Sequence, residues 1–227
     1  MERLDKIAER ARAYFETKNH ARDEALARSR ELIRYCANAI RAVHRAQFEE
    51  AAGLLDTARQ AASRMVVDLE GHPDLYHAGY TQDALKEFAE ANITFALITD
   101  RDLPTPEQLA VLPATYLNGL GEAAGELRRY VLDVIRHGEV ERCERMLQAM
   151  EDIYSVLVTV DYPDAVTAGL RRTTDMVRGV LERTRGDLTV AARQDALQRA
   201  LRNLEQKVSP GTGPAWPLQA TPGDTDA

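Results

Sequence analysis

The stretch Thr81-Gln82-Asp83-Ala84-Leu85-Lys86-Glu87-Phe88-Ala89-Glu90-Ala91-Asn92-Ile93-Thr94-Phe95-Ala96-Leu97-Ile98-Thr99 decides the fold. Its first half is amphipathic at helical period. Asp83, Glu87 and Glu90 stand at i, i+4 and i+7 and share a stripe with Thr94, opposite Leu85, Phe88, Asn92 and Phe95. From Ala91 to Ile98 the segment is apolar nearly all round, which places it inside a bundle of other helices. Thr81 is a plausible N-cap.

Working outward, the same period runs through almost the whole chain. One helix is expected over about Glu2–Lys18, with a weak break at Asn19-His20. A second, over about Arg22–Ala46, carries an apolar stripe of Leu26, Ile33, Cys36, Ile40 and Val43. A third covers about Phe48–Leu69 and stops at Gly71-His72-Pro73. Asp100–Pro113, with three prolines, reads as a connector holding one short helical turn. Further helices follow over Ala114–His137, up to Gly138, and from Glu139 to about Asp161. The last runs from Ala165 to about Glu205, with a possible interruption near Gly186-Asp187. The nearest thing to period-two alternation is Ser155–Val160, so no sheet is expected. The result is an all-α, single-domain bundle of about seven helices over residues 1–207, in which short loops favour antiparallel neighbours. Residues 208–227, rich in Pro, Gly, Thr and Asp, are expected to form a disordered tail.

Composition narrows the function. A formal charge of −7 argues against a broad basic surface for duplex nucleic acid, so any nucleic-acid site must be local. No apolar run approaches the ~18 residues of a membrane span. The two cysteines, Cys36 and Cys143, have no CxxC spacing, and no secretory pattern opens the sequence, so a reducing cytoplasm is expected. Lys6, Lys18, Lys86 and Lys207 are the only lysines; the other basic residues are arginines, the better fork for phosphate.

GxSxG, P-loop, GxGxxG and HExxH signatures are absent, and the five histidines lack metal-ligand spacing. Carboxylates remain. Glu122, Glu126, Arg129 and Asp133 form one stripe of the helix after the connector, opposite Leu117, Leu120, Ala124, Leu127 and Val131. Gly119, Gly121 and Gly125 in the same helix imply close approach of another backbone or a ligand. If the two acidic helices pack side by side, their carboxylates form a hard-oxygen cluster suited to Mg²⁺ or Mn²⁺. On spacing alone, such acids are more often just the solvated face of a helix.

Several stretches resemble the translin and translin-associated factor X family over most of Arg22 to about Glu205. Arg22-Asp23, Ser29-Arg30 and His44-Arg45 are similar to its N-terminal helix. Glu87-Phe88-Ala89-Glu90-Ala91 resembles the Glu-x-x-Glu-Ala of factor X, and Tyr116-Leu117 through Gly125-Glu126-Leu127-Arg128-Arg129 resembles its second acidic segment. The resemblance implies a Mg²⁺-dependent endoribonuclease whose metal-binding and catalytic acids are Glu87, Glu90, Glu122 and Glu126, one acting as general base toward water. Arg129 would then face substrate phosphate. Glu122 departs from the pattern, which has aspartate there. The likeness further implies a homo-oligomeric, octameric shell around single-stranded RNA or DNA, with Arg30 and Arg45 as additional nucleic-acid contacts. The alternative within the family is a non-catalytic RNA- or DNA-binding shell.

Overall fold

The computed structural model describes residues 1–136 and 143–208. Among these there are nine helices and no strand: α1 (Glu2–His44), α2 (Phe48–Asp68), α3 (Pro73–Tyr76), α4 (Gly79–Thr99), α5 (Pro106–Leu109), α6 (Pro113–Arg136), α7 (Cys143–Leu157), α8 (Asp164–Thr167) and α9 (Leu170–Val208). The all-α expectation holds. Gly138 and the 209–227 stretch of the expected tail lie outside the described residues.

The break expected at Asn19-His20 does not occur, and α1 is one helix of 43 residues. No Gly or Pro interrupts it, and both weak helix formers are tied to the next turn. Asn19 Nδ2 donates to Asp23 Oδ2 at 3.2 Å, and His20 Nε2 lies 3.5 Å from Glu24 Oε1. The last segment also differs. Its interruption falls not at Gly186-Asp187 but at Ala168 and Gly169, whose φ values of 52° and 82° separate α8 from α9. Through Gly186-Asp187 the helix continues, with Asp187 ion-paired to Arg128 at 2.8 Å. Thr81 is not the N-cap of α4. That position is Ala78, and the Thr81 hydroxyl donates to the Leu75 carbonyl at 2.8 Å. The short turn within the connector is α5, entered through a capping box of Thr105 and Gln108.

The centre of the bundle is α4, buried on every side from Phe88 to Ala96. It packs against α1, α2 and α6, and α6 in turn packs against α7 and α9. Directions follow from cross-helix pairs. Arg28 bonds Asp68 and Ser29 meets Met65, so α1 and α2 are antiparallel, as their short link requires. α4 and α6 instead run parallel: Thr115 donates to Gln82, and one turn on, Lys86 reaches Glu122. The connector allows this by returning along the bundle, held where the Tyr116 hydroxyl donates to the Pro104 carbonyl at 2.8 Å. α6 and α9 are parallel too, with Asn118 beside Thr173 and Arg128 beside Thr184.

Candidate metal centre

Parallel helices in register present residues at the same height, provided their axes come close. Gly119 makes that possible. A Cβ there would stand 2.8 Å from the Lys86 carbonyl oxygen, closer than real Cβ atoms come, and a tight 3.1 Å from the Glu90 nitrogen. Gly121 serves α9 in the same way, since its added Cβ would overlap the Thr173 methyl. Gly125 faces open space, so the close approach expected of it is not found.

At this contact Glu87 and Glu90 of α4 meet Glu122 of α6, each offering a carboxylate oxygen within 4.8 Å of the others. Glu90 is buried; Glu87 and Glu122 are half-buried. Their mutual repulsion cannot be screened by bulk water at this depth. Burial, with the charges of Glu87, Glu122 and Glu126 added, pushes the Glu90 carboxyl up to about 8, and burial followed by Glu122 raises that of Glu87. The cluster therefore holds less negative charge than its three glutamates would carry in water, unless a cation joins it. Hard oxygens converging without enough neutralising partners are a donor set for Mg²⁺ or Mn²⁺, so these residues fit the metal.

Glu126 is brought to the same region but into a different arrangement. His44 at the end of α1 donates through Nε2 to Glu126 Oε2 at 2.5 Å, and Arg129 Nη1 stands 3.8 Å from the same oxygen. The hydrogen bond to His44 holds the Glu126 carboxyl below its ordinary range despite burial. Arg129 is about half exposed and shares the stripe with Glu126, as its spacing implied. Arg45, the C-cap of α1, follows His44 in the chain and is exposed. Arg30 is not brought there. Cys36 feels the charges of Glu87 and Glu90, while Arg30 precedes it by about 9 Å of helical rise and is turned about 240° around the axis.

Two participants escaped the sequence reading. His44 meets its partner across 82 residues, a separation with no local periodic signal. Lys86 donates to Glu122 Oε1 at 2.8 Å from within the acidic stripe of α4. Its rarity as one of four lysines was the available signal.

No family model matches the chain. The uncharacterized protein MJ0175 of Methanocaldococcus jannaschii is 30% identical over 195 residues, 85% of this chain and 86% of the relative. Among solved structures, AfC3PO in complex with duplex RNA is 34% identical with a TM-score of 0.72, covering 82% of this chain and 96% of its own. A second AfC3PO structure is 32% identical with a TM-score of 0.73, over 82% and 97%. Apo-NeC3PO, at 21% identity and a TM-score of 0.74 over 81% and 96%, shares the fold. With this agreement over more than four-fifths of its length, the chain belongs to the translin family, that of the C3PO proteins.

Proposed function

We propose that the chain is a metal-dependent endoribonuclease of the factor X type. The observation that carries this reading is the convergence of Glu87, Glu90 and Glu122 at the α4–α6 contact. These three would hold Mg²⁺ or Mn²⁺, which supplies Lewis acidity toward a phosphodiester and toward water. The chain's own groups do the rest. Glu126, held ionised by His44, is the acid placed to accept a proton from attacking water. Arg129 extends from the same stripe toward the phosphate. RNA as substrate is supported by the likeness to AfC3PO, which was solved with duplex RNA.

Homo-oligomerisation belongs to this reading. The first half of α1 exposes Leu4, Ile7, Tyr14 and Phe15, and the end of α9 exposes Leu197, Leu201 and Leu204, at the three- and four-residue steps of helix-packing faces. A particle of eight 25.3-kDa chains is the expected size, which native mass spectrometry reads directly.

One feature favours the non-catalytic alternative. Lys86 already places an ammonium on Glu122 and partly neutralises the cluster without metal. Cleavage of end-labelled RNA with and without Mn²⁺ separates the two. Metal-dependent products from the wild type and none from Glu90→Gln support the nuclease; binding without cleavage at any metal concentration supports the shell.

A further inference from the structure

Beside the acid cluster, and sharing Lys86 and Glu122 with it, lies a cleft between α4, α6 and the start of α9. Its neutral polar lining is already committed. Gln82 Nε2 donates to the Tyr76 carbonyl at 2.7 Å, and its Oε1 accepts the Thr115 hydroxyl at 2.6 Å. Asn118 Nδ2 donates to the carbonyls of Ala114 and Thr167, both at 2.9 Å, and its Oδ1 accepts the Thr173 hydroxyl at 2.7 Å. A base edge entering the cleft would find few free donors or acceptors of the kind that read sequence.

The capacity that remains is charged: two carboxylates, Glu122 and Asp83, that lie beside Lys86, and two cations. Arg172 lines the cleft and is exposed, and its guanidinium makes no ion pair or hydrogen bond among the described residues. Lys86 has three donors, of which Glu122 takes one, and its ammonium stands between the cleft and the cluster. Asp83 at the rim is 3.9 Å from Lys86 and largely exposed, where water weakens its hold.

We propose that this cleft binds the backbone phosphate next to the one at the acid cluster, with Arg172 and Lys86 as its two cations. The chain thereby grips an RNA strand at successive positions by charge and not by base identity. This deepens the nuclease reading, on which it rests for the position of the neighbouring phosphate.

The test is binding of fluorescent single-stranded RNA to the full-length Glu90→Gln protein, where cleavage does not interfere, over a salt series. Adding Arg172→Gln should weaken binding about tenfold at low salt, the loss of one charge-assisted contact. It should also make the slope of log affinity against log salt shallower by about 0.7, one phosphate on a single strand. Arg172→Lys should keep the slope, and Arg193→Gln, the same charge change elsewhere on α9, should alter neither quantity. A single neutral methylphosphonate linkage beside the cleavage position should cost affinity with Arg172 present and nothing in Arg172→Gln. Equal behaviour of Arg172→Gln and Arg193→Gln overturns the proposal, as does an Arg172 contribution that changes with base sequence. RNA bound with full Arg172 dependence but never cut by the wild type overturns the nuclease and leaves the cleft standing. Cutting without Arg172 dependence overturns the cleft alone.

Discussion

Glu90 and Glu126 reach the same region from neighbouring helices, both drawn into the bundle, and their carboxyls are displaced in opposite directions. Glu90 is pushed up to about 8 because burial and the charges of Glu87, Glu122 and Glu126 act together on it. Glu126 is held down because His44 donates to it and Arg129 lies close by. Burial is common to both, so the partner decides. One position has negative charge that Lys86 compensates only in part, and the other is a carboxylate with a prearranged hydrogen-bond donor. A metal site with a separate proton acceptor needs that division.

Breaking the partly compensated side should have the largest effect. Glu90→Gln is expected to lower RNA cleavage by about 10³-fold. Its effect on stability runs the other way. With a folded value near 8 against 4.5 unfolded, native Glu90 holds a proton that the unfolded chain gives up, so stability of the metal-free wild type falls as pH rises through that interval. Thermal melts between pH 5 and pH 9 should show this decline in the wild type and a shallower one in Glu90→Gln. Mn²⁺ should also raise the wild-type melting temperature more at pH 8 than at pH 6, since binding displaces the proton. Equal slopes in the two proteins would falsify the assignment of Glu90 as the repelled carboxyl.

The hydrogen-bonded side is broken by His44→Ala. Removing the donor leaves Glu126 part-buried with only the more distant, half-exposed Arg129 beside it, at a cost of about 1–3 kcal/mol in urea unfolding. The lowered Glu126 value stabilises the fold above the ordinary carboxylate range and loses that contribution on acidification, so the deficit should shrink toward low pH. Mn²⁺ affinity should change much less than in Glu90→Gln; an equal loss would merge the two regions into one. Gly119→Ala tests what brings them together. The added methyl meets backbone, and about 1–3 kcal/mol of stability should be lost, with weaker Mn²⁺ binding by calorimetry. Arg129→Gln should do least. Its pair with Glu126 is half exposed, so stability should move by less than about 0.5 kcal/mol while KM for RNA rises a few-fold at unchanged melting temperature.

What could be read from the sequence was whatever a single helix announces. The all-round apolar run after Glu90, the stop at Gly71–Pro73, the break between Asp161 and Ala165, and the two acidic stripes are local patterns, and each appears in the structure. The glycines implied a close approach, and Gly119 and Gly121 make it, yet Gly125 of the same helix does not. What a helix meets was not legible. That α4 and α6 run parallel depends on the path of the connector, and the His44–Glu126 pair depends on where the end of α1 meets α6. Lys86 was hidden because a lysine within an acidic stripe reads as an ordinary surface pair.

Because α4 and α6 lie side by side in the same direction and touch at a glycine, the site has a rigid point and a slack one. An extra residue inserted between Gly119 and Glu122 would swing the carboxylate about 100° away from its partners. The same insertion among residues 101–104 would be taken up by a loop whose ends are already secured. Variation in length along this chain should therefore be tolerated in the connector and forbidden within the first three turns of α6, a boundary that an insertion scan would trace residue by residue.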